Sequence, residues 1–152
     1  MSQLMIGEHQ LGTATLVSRT SLTAPTTDTL KAALYLTSAT INASTTAYTA
    51  TGEVSGTGYT AGGVTVTNAV APTSTNSSAT AGVAFFTPSA SLTYTTVTLS
   101  TAFDAVLIYN STQSNKAISV HTFGSQTITA GTFTLTMPAN TTSAALIRLA
   151  TT

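Results

Sequence analysis

Residues 51–66 read TGEVSGTGYTAGGVTV, and this stretch decides between two folds because it joins a glycine-rich loop to an alternating run. Its segment 56–61, GTGYTA, fits the loose dinucleotide-binding pattern G-x-G-x-x-A. That pattern holds a pyrophosphate only where it follows a buried strand and opens a helix. Here the next residues, Val64-Thr65-Val66, alternate with the period of a strand. The loop is therefore predicted to be a bend that binds no cofactor, and its turn positions are Gly52, Gly56, Gly58, Gly62 and Gly63.

Alternation with a period of two continues through most of the chain, and Thr and Val, which suit pleated strands, dominate it. The four prolines fall between the alternating runs. Residues 26–152 are thus predicted to form an all-β fold with little or no helix, a single-domain antiparallel β-sandwich of about eight strands with a Greek-key or jelly-roll order. The predicted strands are LKAALYL (30–36), VTVTNAV (64–70), VAFFT (83–87), TTVTL (95–99), AVLIYN (105–110), AISVHTF (117–123), TFTLTM (132–137) and AALIRL (144–149).

The first 25 residues are open to two interpretations. They form either an edge strand through TATLV (13–17) or an N-terminal arm that lies on a neighbouring subunit. The arm would use four apolar side chains, Leu4, Met5, Ile6 and Leu11. The opening MSQLMIGEHQ has no basic region followed by a continuous apolar run, so no signal peptide is predicted.

Charge is almost absent from the chain. Charged residues make up 5% of it, against about 25% in an average domain, and four cations balance four anions. Four scattered cations cannot neutralise a track of phosphates, and no basic amphipathic stretch faces a membrane, so neither partner is predicted. A surface with so little charge is poorly protected against association. The composition therefore favours a protein that works inside a multi-copy assembly.

Catalytic patterns are weak. His121 could form a triad with Asp104 and a serine, but no G-x-S-x-G elbow accompanies it. There is no cysteine, and the two histidines have no acidic residues clustered with them at metal-ligand spacing. The sequence predicts no enzyme, no metal and no cofactor.

Three further stretches, together with the glycine loop, resemble a family of small tailed-bacteriophage proteins that are mostly described as virion structural or hypothetical proteins. They are DTLKAALY (28–35), LIYN (107–110) and NKA (115–117), and the loop contributes GEVSGTGYTAGG (52–63), the most specific block. The resemblance runs from about Asp28 to Arg148. Relatives often carry a tryptophan and a basic residue before the counterpart of LIYN, whereas this chain has Phe103 and Asp104 there.

The resemblance implies a virion structural protein. The leading expectation is a capsid decoration (cement) protein, made in the cytoplasm of the bacterial host. It would bind the outer surface of the major capsid protein shell as a homo-oligomer, for which a trimer is one symmetric arrangement. A tail-tube, adaptor or fibre-base protein is the first alternative, and a carbohydrate- or receptor-binding module is the second. Besides the four apolar residues of the arm, the expected contact residues near loops are Glu53, Tyr59 and Lys116.

Overall fold

The computed structural model describes residues 28–67, 73–75, 82–89 and 91–150. This part of the chain is all-β, with antiparallel sheets and no helix, which confirms the predicted class. Residues 1–25, predicted to be an arm or an edge strand, lie outside the described residues. The strands are β1 (Leu30–Leu36), β2 (Val64–Val66), β3 (Thr73–Thr75), β4 (Val83–Phe86), β5 (Ser91–Asn110), β6 (Lys116–Thr136) and β7 (Ile147–Ala150).

The strands fall into two sheets, one in each of two compact units. Residues 29–66 and 91–135 form the larger unit, whose sheet has the order β2-β1-β5-β6. Described residues of 67–90 and 136–150 belong to the smaller unit, whose sheet has the order β3-β4-β7. The sandwich of about eight strands stays a prediction, since seven strands are present in the described part.

β1 organises the larger sheet because it is buried on both faces. It pairs with β5 along its whole length, from Leu30 opposite Asn110 to Leu36 opposite Phe103. One face of this pair carries Ala33 and Tyr35 with their β5 neighbours, and the loop residues Ala39, Ile41 and Tyr48 pack against it. The other face carries Leu30, Ala32 and Leu34, each at most 2% exposed. A strand buried on both sides gives the surrounding loops a rigid base.

A β-bulge interrupts the β1–β5 ladder. Tyr35 lies opposite Ala105, but Leu36 lies opposite Phe103, so Asp104 is an extra residue on β5. A bulge of this kind bends the strand and increases its twist. Asp104 is half-buried at this irregular position.

β5 and β6 form one long antiparallel ribbon. The turn at 111–115 joins them. Phe103 lies seven residues before Asn110, the last residue of β5, and Phe123 lies seven residues after Lys116, the first residue of β6. The two phenyl rings are in edge contact with their centroids 6.0 Å apart. Farther out, Tyr94 and Phe133 also meet, at 5.9 Å. The two strands therefore stay paired, within about one residue of register, over most of their length.

The ribbon folds back over its own sheet. The Tyr94 hydroxyl donates to the carbonyl of Ala32, 2.8 Å away, although Ala32 pairs with Ile108 in the same strand β5. Fourteen extended residues would hold Tyr94 and Ile108 about 45 Å apart. Positive φ values of 54° at Thr96 and 46° at Ala130 mark one irregular backbone position on each strand of the ribbon. The phenyl rings of Phe123 and Phe133 meet at 5.5 Å in the resulting core.

Two pairs of predicted strands are joined in the structure, so the prediction of four separate strands was wrong. The predicted strands 95–99 and 105–110 are one strand, β5, and the predicted strands 117–123 and 132–137 lie in β6, except for residue 137, because β6 ends at Thr136. The strands continue through residues 100–104 and 124–131, which separate the predicted strands, because a strand that keeps its partner can continue past a local bulge. β2 also ends at Val66, earlier than the predicted strand 64–70, and β7 begins at Ile147 rather than at 144.

In the smaller unit, Thr87 is buried, with 3% of its surface exposed, and it makes two hydrogen bonds to side-chain and backbone groups of that unit. Its backbone N–H donates to the Asn140 side-chain oxygen at 2.9 Å, and its hydroxyl accepts from the N–H of Leu146 at 2.9 Å. β4 is the central strand of this sheet and pairs antiparallel with β3 and β7. One buried threonine thus ties the end of β4 to the segment that precedes β7.

Candidate functional site

Glu53 is the centre of the most elaborate polar cluster in the described residues. Its carboxylate oxygen Oε2 accepts from the Tyr48 hydroxyl at 2.6 Å. Its other oxygen, Oε1, accepts from the Tyr59 hydroxyl and from the backbone N–H of Gly62, both at 2.7 Å. Hydrogen bonds to a carboxylate are stronger than those between neutral groups. The glycine-rich loop therefore closes around its own glutamate.

Tyr59 connects this cluster to β1. Its hydroxyl accepts from the backbone N–H of Leu34 at 3.0 Å while it donates to Glu53. The carbonyl of Leu34 is bonded to the loop backbone, since it accepts from the N–H of Val54. Tyr59 also stacks on Tyr94 with ring centroids 6.1 Å apart. The loop thus takes the place of a strand partner beyond the end of β2.

The remaining tyrosines hold the other side of the loop. The Tyr109 hydroxyl donates to the carbonyl of Gly62 at 2.9 Å, and the ring of Tyr109 stacks on that of Tyr48 at 4.7 Å. The Tyr35 hydroxyl donates to the carbonyl of Thr49 at 2.5 Å. All five tyrosines of the chain are therefore engaged in or around the Glu53 cluster.

The loop approaches its neighbours too closely for side chains. Gly63 has a φ of +75°, and a Cβ built there would lie 1.7 Å from the carbonyl oxygen of Ala32. Gly58 has a φ of +78°, and its Cβ would lie 2.3 Å from the carbonyl oxygen of Thr96. At Gly56 the corresponding approach to the carbonyl oxygen of Thr98 is 2.0 Å. The loop is wedged between the edge of β1 and the folded-back end of β5.

Burial and the Glu53 charge both act on the tyrosines. Burial, as the largest cause, and the nearby Glu53 charge together raise the pKa of Tyr35 to about 12, although its hydrogen bond to Thr49 acts in the opposite direction. Burial and the nearby Glu53 charge likewise raise the pKa of Tyr48, Tyr59, Tyr94 and Tyr109. Raised pKa values keep all five hydroxyls protonated as hydrogen-bond donors. The arrangement serves as a clamp for the loop.

The expected contact residues take different places. Glu53 and Tyr59 are half-buried, and their polar atoms bond within the chain. Lys116 is exposed at the start of β6, where its backbone bridges to Ala47. Leu4, Met5, Ile6 and Leu11 lie outside the described residues. Among the three described contact candidates, only Lys116 presents its side chain to solvent.

His121 and Ser119 stand out on β6 because each has a buried polar atom without a hydrogen-bond partner among the described residues. These atoms are the Nε2 of His121 and the Oγ of Ser119. Burial lowers the pKa of His121, which favours its neutral form. In a catalytic triad the Nε2 of the histidine bonds to the nucleophile. Here no described residue bonds to that nitrogen, and no group of three or more His, Cys, Asp or Glu residues in the described ranges could hold a metal.

A groove of about 400 Å³ opens beside this part of β6. Its walls are the loop around Ile41, Asn42 and Thr45 on one side and the residues from Ala117 to Val120 on the other.

Within the described part of the chain there is also no helix long and apolar enough to cross a membrane. No family model, curated protein or solved structure matches the chain.

Sequence reasoning singled out Glu53, Tyr59 and the glycines but missed the other four tyrosines. These are Tyr35, Tyr48, Tyr94 and Tyr109, and they come from a strand, a loop and both ends of β5. Their spacing along the chain follows no motif. Composition alone offered a signal. The chain has five tyrosines and very few charged side chains, and buried hydroxyls need hydrogen-bond partners, so a glutamate inside a glycine loop is an obvious acceptor for them.

Proposed function

We propose that this chain is a structural protein of a tailed-phage virion, and specifically a decoration protein that binds the outer surface of the major capsid shell in many copies. The resemblance described above supports the proposal. Its most specific block, residues 52–63, contains the loop that folds around Glu53. Such a loop stiffens a small fold, which suits a protein whose work is adhesion. Binding only to the assembled shell would stabilise the shell by mass action.

The observation that carries the proposal is the uncharged surface of β6. This strand has 21 residues at the edge of the larger sheet, and Lys116 is its one charged residue. All its side chains are exposed or half-buried. Native proteins usually protect an exposed edge strand with charges or proline, because a bare edge invites association. A subunit of a multi-copy shell uses that property.

A carbohydrate-binding module has less support. Such modules need an aromatic platform that is open to solvent. All ten aromatic side chains of this chain belong to the described residues, and each is buried or half-buried. The tail or neck location remains the alternative within the virion class.

The decisive experiment is the copy number of this protein in purified particles of the phage that encodes it, relative to the major capsid protein, by quantitative mass spectrometry. A ratio near that of the shell subunits is expected for a decoration protein. A ratio many-fold lower would move the protein to the neck or tail. Absence from particles would overturn the structural role.

Attachment to the shell is expected to resist salt. With four cations and four anions in 152 residues, binding must depend on apolar burial and backbone pairing, which ionic strength screens little. The check is to wash particles in rising sodium chloride and to measure the protein that stays bound. Release at moderate salt would show that ion pairs hold the contact.

A further inference from the structure

Among the described residues, nothing pairs with the outer edge of β6 over most of its length. Near its start the edge is covered, because the N–H of Ala117 donates to the carbonyl of Thr46 and the carbonyl of Asn115 accepts from the N–H of Tyr48. β6 is the last strand in its sheet, and beyond Ala117 no described strand or bridge pairs with this side. Beyond this covered start, the loop residues 41–45 and the β6 residues 117–122 line the two sides of the groove described above.

The residues that present backbone groups on this edge follow from Asn115 and Ala117. In an antiparallel ladder, alternate residues direct their N–H and C=O groups to the same side. The groups of Ser119, His121, Phe123 and Ser125 therefore face outward, while those of the intervening residues face β5. An edge strand of this length is a template for another strand.

The chemistry of the edge fits a second copy of this chain. Residues 117–136 contain no Asp, Glu, Lys, Arg or Pro, so two such edges meet without like-charge repulsion and without a missing donor between 119 and 125. The whole chain is also formally neutral. A strongly charged partner would gain no electrostatic energy here, whereas an identical uncharged edge matches it in every backbone group.

We propose that two copies of this chain associate by antiparallel pairing of their β6 edges over residues 119–125, around a two-fold axis. The same residues of each copy meet in such a contact, which closes the pair and removes both open edges. This contact goes beyond the virion role and stands or fails independently of the copy number in particles.

The test combines sedimentation equilibrium of the full chain with residue-resolved amide exchange. The expected mass at high concentration is twice that of one chain. Under those conditions the amides of Ser119, His121, Phe123 and Ser125 should exchange at least about tenfold more slowly than in dilute solution, as amides do when pairing protects them. The amides that face β5 serve as an internal control, because they are protected in both conditions.

Two substitutions at Ser125, which is exposed, identify the surface. Ser125→Pro removes an outward N–H, and Ser125→Lys places a charged side chain on the pairing edge, which is how native edge strands block pairing; each should yield a monomer with an unchanged circular dichroism spectrum. Thr101→Lys is the matched control, since Thr101 is exposed on β5, which has partners on both sides, and this variant should still pair.

Three results would overturn the proposal. The first is a monomer at every concentration with fast exchange at the edge. The second is an edge that is already protected in the monomer, because another segment of the same chain would then cover it. The third is an association that gives a trimer or that both Ser125 variants leave intact, which would place the contact on another surface.

Discussion

Gly63 is the position in the glycine loop where a side chain is least tolerated. Gly63→Ala would force an L-residue into a φ of +75° and press its Cβ against the Ala32 carbonyl. Left-handed backbone alone costs about 1–2 kcal/mol, and the clash adds to it, so the free energy of unfolding should fall by at least ~2 kcal/mol. Chemical denaturation of purified variants measures this loss.

Gly124 supplies the matched control, because nothing lies within 4 Å of a Cβ built there and its φ lies outside the positive range. Gly124→Ala should leave stability unchanged or raise it by up to about 1 kcal/mol, since alanine loses less backbone entropy in a strand. Equal losses for the two variants would show that the loop relaxes around an added methyl group.

Glu53 is expected to contribute more to stability than any other charged residue in the described part. Glu53→Ala leaves the Tyr59 hydroxyl and the Gly62 N–H without their acceptor. Hydrogen bonds to a charged group are worth about 1.5–3 kcal/mol each, and a half-buried site retains part of that, so the expected loss is about 2–4 kcal/mol. The midpoint of urea denaturation at constant slope provides the measurement.

Glu53→Gln is the conservative partner variant. Its amide keeps an acceptor oxygen for Tyr59 and Gly62 and loses only the charge and one acceptor, so the expected loss is about 1 kcal/mol. If the alanine variant were no less stable than the glutamine variant, Glu53 would not hold the loop.

Ala130 on β6 has a strained backbone conformation. Ala130 is exposed and has a φ of 46°, a conformation that costs alanine more than glycine. Ala130→Gly should therefore raise the free energy of unfolding by up to about 1 kcal/mol. Ala139→Gly is the control, because Ala139 is exposed and has no positive φ, and it should be neutral or destabilising. Thermal denaturation of both variants distinguishes these outcomes. A lower stability for Ala130→Gly than for the unsubstituted protein would argue against backbone strain at Ala130.

The fold should unfold in alkali as its tyrosines ionise together. In the unfolded chain they lose their protons near pH 10, whereas in the fold their pKa values are raised, to about 12 for Tyr35. Because the folded values are higher, this stability is fully present below pH 10 and is lost as the pH rises toward 12.

The measurement follows tyrosinate absorbance and circular dichroism across the same pH range. The two signals should change in one coincident transition, and the urea-unfolded chain should titrate near pH 10 as the reference. Stepwise ionisation near pH 10 with an unchanged circular dichroism spectrum would contradict the buried cluster.

Local patterns were enough to predict the class of the fold but not the course of its longest strands. Alternation in LKAALYL and AVLIYN predicted β1 and the end of β5 within their observed bounds, because the pleat itself imposes a period of two. The same rule could not show that 95–99 and 105–110 are one strand. That continuity depends on β6, which accompanies β5 around the bend and satisfies its backbone groups.

The residue types alone predicted an antiparallel β protein and a glycine loop that leads into a strand, and the composition shows a chain almost without charge. These properties depend on backbone sterics and on composition, which act within a few residues. Tertiary structure decided that Glu53 gathers the tyrosines and that Tyr94 reaches Ala32 across 62 positions of sequence. Such contacts form because buried hydroxyls and carboxylates must find partners, and which partners they find depends on how the whole chain packs.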